Sequence, residues 1–126
     1  MKIKSFRDLR VWQLGMEIVE GVYRLTSDFP KYEVYGLSSQ IQRAAVSIPS
    51  NVAEGHTREH TREFLHHLSI AQGSLAELET QLEIAVRLDY VSRVRIEPLL
   101  GRMISLGKQQ FALRNSLLRT LDSKAD

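Results

Sequence analysis

At 126 residues with 43% hydrophobic content, the chain is long enough for one domain with its own core, which excludes a disordered segment or a fold that depends on crosslinks. Having no cysteine, it can form no disulfide, thiolate zinc site or thiol nucleophile, and no apolar run reaches the roughly 18 residues of a membrane span. Seventeen basic residues against fifteen acidic ones leave a net charge of +2, a weak pull toward polyanions, and the opening MKIKSFRDL lacks the pattern of a signal peptide, so a cytoplasmic location is expected.

The first helix is expected from about Arg7 to Ser27, with Ser5 as N-cap, Asp8 in the first turn and Pro30 past the end. Leu9, Trp12, Met16, Val19 and Tyr23 recur with the spacing of one bundle face. Val11, Leu14, Ile18, Val22 and Leu25 form a second stripe about 140° around the axis, with Gly15 and Gly21 between the two. A lone bundle needs one stripe. The first is read as core, and Val11, Leu14, Ile18 and Val22 as a surplus face that other copies of the chain would cover.

The second helix follows FPKYEVYG and carries Leu37, Ile41, Ala44, Ile48 and Val52 inward to about Gly55. Pro49 removes one backbone hydrogen bond and is expected to bend the helix without breaking it, because the apolar period keeps its phase on both sides. The third helix starts near Thr61, where Phe64, Leu68, Ala71, Leu75, Leu78, Leu82 and Ala85 alternate at four and three. The fourth follows Tyr90 with Ser92 as N-cap and a seam of Ile96, Leu99, Met103, Leu106, Leu113 and Leu117. Short connections then dictate an all-α, antiparallel, up-down-up-down four-helix bundle over residues 1–126 as a single domain. Residues 63–91 hold one basic and five acidic residues, and 92–126 hold seven basic and three acidic, so the third helix should lie among basic neighbours.

Two patterns resemble metal sites. His56, Glu59 and His60 form HxxEH, which holds zinc only when both imidazoles sit on one continuous helix; here Gly55 puts the motif at a helix junction, where convergence is not guaranteed. Glu63 and His66 form the ExxH of di-iron bundles, but those need a second such pair and two more glutamates, and this pair points away from the Phe64 and Leu68 seam. No metal, cofactor or catalytic residue is assigned. A solvated, capping-type turn is the simpler reading, and an enzyme, here a metal-dependent hydrolase, is the least favoured one.

A stronger feature is the ridge of Gln40, Arg43, Ser47, Asn51, Glu54 and Arg58 on the second helix, at the border of the core. Short polar side chains at its centre suit specific hydrogen bonds better than general solubility. The ridge is either a docking strip for a phosphate backbone or partner helix, or a network joining helix two to Gln72 or Glu79 of helix three or to another subunit.

The run from Phe6 to Ala85, with DLRVWQ, the FP turn, YGL, QIQRAAVSIPSNVAEG followed by Arg58, and AQGSLAELE, resembles the 23S rRNA-intervening-sequence protein family. The likeness reaches about residue 90, and Val52 stands where the family more often has isoleucine. It implies an antiparallel four-helix bundle, a homo-oligomer in the form of a five-fold ring, and an association with ribosomal RNA. The motif residues carried over are Trp12, Arg43, Ser47, Pro49, Asn51, Glu54, Gly55, Arg58, Gly73, Ser74, Glu77 and Glu79; the four histidines are outside it.

Independently of the resemblance, Ile70, Ile84 and Leu88 lie opposite the helix-three seam with Glu77 among them, a further candidate interface in which the carboxylate needs a cationic partner. Lys2, Lys4, Arg7 and Arg10 cluster near one end and would become a basic rim through symmetric repetition. The expected function is therefore non-enzymatic: a homo-oligomeric bundle with weak, salt-sensitive RNA or other nucleic-acid binding. The alternative is a protein-protein scaffold that uses the ridge. No small-molecule substrate is indicated.

Overall fold

The computed structural model describes residues 5–125, the last two by backbone alone. A 3-10 turn at Phe6–Asp8 leads into α1, Arg10–Thr26; a second 3-10 turn, Lys31–Glu33, leads into α2, Leu37–Thr57; α3 is Thr61–Arg87 and α4 is Arg93–Ala125. Each helix packs on its sequence neighbours and α1 also packs on α4, so the four close into an antiparallel up-down bundle with α1 and α3 on one diagonal and α2 and α4 on the other. No helix among the described residues is long and apolar enough to cross a membrane.

The caps follow local chemistry. Ser5 Oγ accepts from the Arg7 amide and starts the 3-10 turn, but Leu9 is extended, so the α-helix begins three residues later than the apolar pattern alone indicates. Ser92 Oγ accepts from the Arg95 amide at 3.2 Å, as an N-cap should. At the end of α3, Asp89 takes φ 62° where glycine is usual, letting the Tyr90 amide reach back to the Ala85 carbonyl at 3.0 Å.

The core is built from Ile41, Ile48, Val52, Leu68, Leu78, Leu82, Ile96 and Leu106, which are fully buried as their spacing predicts. Burying each such side chain contributes about 1.5–3 kcal/mol, which makes these rows, rather than helix propensity, the main source of stability. On α1 the assignment is the reverse of the sequence expectation. Val11 and Leu14 are 3% exposed and Ile18 and Val22 are 0% exposed, so the four residues expected at an oligomer interface are core. The other stripe lies at the border, with Met16 and Tyr23 exposed and Trp12 and Val19 half-buried against the core. The cause is steric: a Cβ on Gly15 would stand 3.3 Å from Pro49 of α2, and one on Gly21 would stand 3.2 Å from Leu99 of α4. These two glycines flank Ile18 and turn its stripe between the neighbouring helices. α2 runs unbroken through Pro49, whose buried ring supplies the surface that Gly15 meets.

Glu33 fastens the top of the bundle. Its Oε1 accepts from the Leu37 amide at 3.0 Å, capping α2, and its Oε2 accepts from the Tyr90 hydroxyl at 2.8 Å, tying the α1–α2 connection to the α3–α4 turn. First the Leu37 amide and then the Tyr90 hydroxyl hold this carboxyl below its ordinary value of 4.5. A carboxyl depressed in the folded state stabilises it above the unfolded value, and that contribution is lost as pH falls through the lower folded value. Glu33→Gln should therefore show a shallower loss of thermal stability than the parent as pH drops below about 4.5. Melts at a series of acid pH values check this; identical slopes would show that the clasp contributes nothing.

Candidate functional site

The ridge on α2 divides into two parts. Its centre is spent on α3: the Ser47 and Ser74 hydroxyls share a hydrogen bond of 2.8 Å. The Asn51 amide donates from Nδ2 to the Ser47 carbonyl at 2.8 Å and to Ser47 Oγ at 3.1 Å, which turns its Oδ1 toward His67 Nδ1, 3.0 Å away. An amide oxygen only accepts, so in this arrangement Nδ1 carries the proton and donates. The partners on α3 are thus Ser74 and His67, not Gln72 or Glu79. Sequence reasoning missed His67; the signal was present, since His67 and Ser74 are seven apart on one face of α3 and oppose Ser47 and Asn51, four apart on α2.

The lower end of the ridge is a surface ion-pair chain. Arg58 reaches Glu54 Oε1 at 3.1 Å and Glu63 Oε2 at 3.7 Å, and Glu54 lies 3.9 Å from His67 Nε2. Arg58, Glu54 and Glu63 are about half exposed, where such pairs are worth a few tenths to about 1 kcal/mol, so they orient the α2–α3 junction more than they stabilise it. Gln40 and Arg43 at the upper end are exposed, and Arg43 has no ion-pair partner among the described residues.

HxxEH is pulled apart. His56 sits in the last turn of α2 with its ring edge-on to Phe64, Arg58 is extended, and His60 precedes α3. No three His, Asp or Glu side chains among the described residues come together as a metal set. Of the ExxH pair, Glu63 faces Arg58 and His66 is exposed.

Ile70, Ile84 and Leu88 are exposed as expected, and Glu77 is exposed with no ion pair among the described residues. Of the basic end, Lys2 and Lys4 lie outside the described residues; the Arg7 guanidinium rests 4.8 Å over the Phe6 ring, and Arg10 is 3.8 Å from Glu17. The acidic α3 does meet basic neighbours, most closely at Glu83, whose carboxylate takes Arg93 of α4 at 2.9 Å and Arg87 at 3.2 Å. Those two guanidinium groups, Arg93 first, hold the Glu83 carboxyl below its ordinary value.

This α2–α3 clamp uses Ser47, Asn51, Gly55 and Ser74, the small and polar residues of the SIPSNVAEG and AQGSLAELE stretches, and residues 7–112 match the family described as 23S rRNA-intervening sequence protein. The chain belongs to that family. The match ends at residue 112, whereas α4 continues to Ala125. No curated protein matches the chain. Among solved structures it is similar to a protein of unknown function from the S23 ribosomal protein family of Bacteroides thetaiotaomicron VPI-5482, at 22% identity and a TM-score of 0.74 over 82% of this chain and 97% of that one. At that identity the likeness establishes the fold.

Proposed function

We propose that this family member is a non-enzymatic, self-assembling bundle whose copies join through outward apolar faces and, once joined, bind RNA weakly through cations repeated by symmetry. The observation that carries the assembly is the outward stripe of α1. Exposed Met16 and Tyr23, with half-buried Trp12 and Val19 between them and Val46 and Ala53 of α2 beside them, make a contiguous apolar surface, the kind that marks an interface. Size-exclusion chromatography with light scattering tests this. The expected mass is a multiple of 14.4 kDa at all working concentrations, and a monomer at high concentration overturns the reading.

RNA association rests on α4. From Pro98 to Leu121 there is no acidic residue, while Arg102, Lys108, Arg114 and Arg119 are exposed and without ion pairs among the described residues. These cations wind around the helix, so one copy offers a weak site and an assembly a stronger one through multiple contacts. Gel-shift with structured RNA should show retention at about 50 mM salt that falls steeply by about 200 mM, as counterion release requires. No shift at the lower salt removes RNA from the proposal. A combined Arg43→Ala and Arg58→Ala variant tests the ridge: lost retention with an intact oligomer makes it an RNA contact. A ridge that recruits a protein partner has less support, because its centre is already occupied by Ser74 and His67.

A further inference from the structure

α4 carries a single aromatic residue, Phe111, and leaves it 58% exposed to solvent, with Ile104, two turns earlier on the same face, 61% exposed. At about 100° per residue, Lys108 and Arg114, three positions before and after, lie about 60° to either flank of the phenyl ring, and about 9 Å of helix rise separates them. Both are exposed and have no ion pair among the described residues. The nearest carboxylates of α4, Glu97 and Asp122, are about three turns or more from Phe111.

Whatever covers Phe111 also covers the cation on each side of it. An apolar partner would strip both of water without a counter-charge, at a cost that exceeds what one phenyl ring returns, whereas a polyanion pairs them. Duplex RNA supplies the phosphates but keeps its bases stacked inside, so Phe111 would gain nothing from it. An unpaired strand supplies both a base face for the ring and a phosphate on each side of that base. Tyr32 and Tyr35 are more exposed, at 76% and 97%, but they stand on either side of Glu33 in the chain, and its carboxylate repels a phosphate.

Resting on the RNA reading above, we infer that α4 binds single-stranded RNA, with one unpaired base stacked on Phe111 and the phosphates beside it held by Lys108 and Arg114. Because the two cations lie diagonally across the phenyl ring, the strand crosses α4 rather than running along it. Every base has a π-face, so the site selects an unpaired strand and not a sequence. Stacking releases no counterion, so this contribution outlasts the phosphate contacts as salt rises.

Fluorescence anisotropy at about 50 mM salt, with a labelled oligouridine strand and with an RNA duplex of equal phosphate number, tests this. The strand should bind about tenfold more tightly than the duplex. Phe111→Leu keeps the apolar bulk but removes the π-face; it should weaken strand binding roughly tenfold and leave duplex binding unchanged, whereas Phe111→Trp should retain both. Lys108→Ala and Arg114→Ala should weaken both probes, each lowering the salt slope by about one. All three side chains are exposed, and circular dichroism confirms folding. A wild-type protein that binds neither probe refutes the RNA reading itself. Equal affinity for the two probes, or undiminished strand binding by Phe111→Leu, refutes the stacking site and leaves the RNA reading standing. A Phe111→Leu protein whose mass by light scattering is smaller than that of the wild type also refutes the site, because Phe111 is then a contact between copies.

Discussion

Gly55→Ala is expected to lower the unfolding free energy by about 2 kcal/mol, even though alanine is the better helix former by about 1 kcal/mol. A Cβ at this position would stand 2.7 Å from His67 Cβ, 3.0 Å from Phe64 Cδ1 and 3.3 Å from Phe64 Cα. None of these is the far end of a flexible side chain. Relief therefore requires α2 and α3 to separate around Gly55, and that movement also pulls His67 away from Asn51, so the 3.0 Å hydrogen bond between them lengthens. The contrast is Gly73→Ala and Gly101→Ala, where an added Cβ meets nothing within 4 Å. There only the backbone effect operates, and each change should raise stability by about 0.5–1 kcal/mol. Urea unfolding of the three variants checks the pattern; a wild-type midpoint for Gly55→Ala would mean that the helix pair relaxes at no cost.

This asymmetry among glycines shows what the sequence contained and what was missed in it. α3 was legible throughout, because its seven-residue repeat allows only one inward face, and so were its start and the Ser92 cap. α1 was legible as a helix but not in its rotation. Two stripes of equal apolar strength lie on it, and periodicity is indifferent to which one faces inward. The deciding signal was Gly15 and Gly21, placed on either side of Ile18, since small residues mark the flanks on which neighbouring helices come close. Of the candidate site, the ridge could be read as a line of residues but not as two functions. Whether a half-buried serine or asparagine bonds to a ligand or to the next helix depends on register across the α2–α3 contact, and register is set by packing at Gly55 that no single-helix pattern contains. The metal-like spacing failed for a local reason: extended backbone at Arg58 separates His56 from His60, whatever their distance in the sequence.

Gln110→Leu should stabilise the protein by about 1–3 kcal/mol, the opposite sign to most core substitutions. Gln110 is fully buried on α4, one turn past Leu106, where its neighbours Gln109 and Leu113 line a cleft with Leu9 and Val11 of the α1 entry. Neither its amide nitrogen nor its oxygen has a hydrogen-bond partner among the described residues, so no protein group compensates the loss of bulk water on folding. Leucine has a similar length and nothing to desolvate. The gain in urea midpoint should come with a loss of uniqueness. A buried amide penalises any shift of α4 along its neighbours that would place it against a different apolar layer, whereas a leucine in an all-aliphatic seam tolerates such shifts. Slowed amide hydrogen exchange across the core with broadened side-chain signals near Leu106 and Leu113 would show that trade. A drop in stability instead would show that the amide is satisfied in the folded protein, and would make Gln110 a structural hydrogen-bonding residue rather than a register pin.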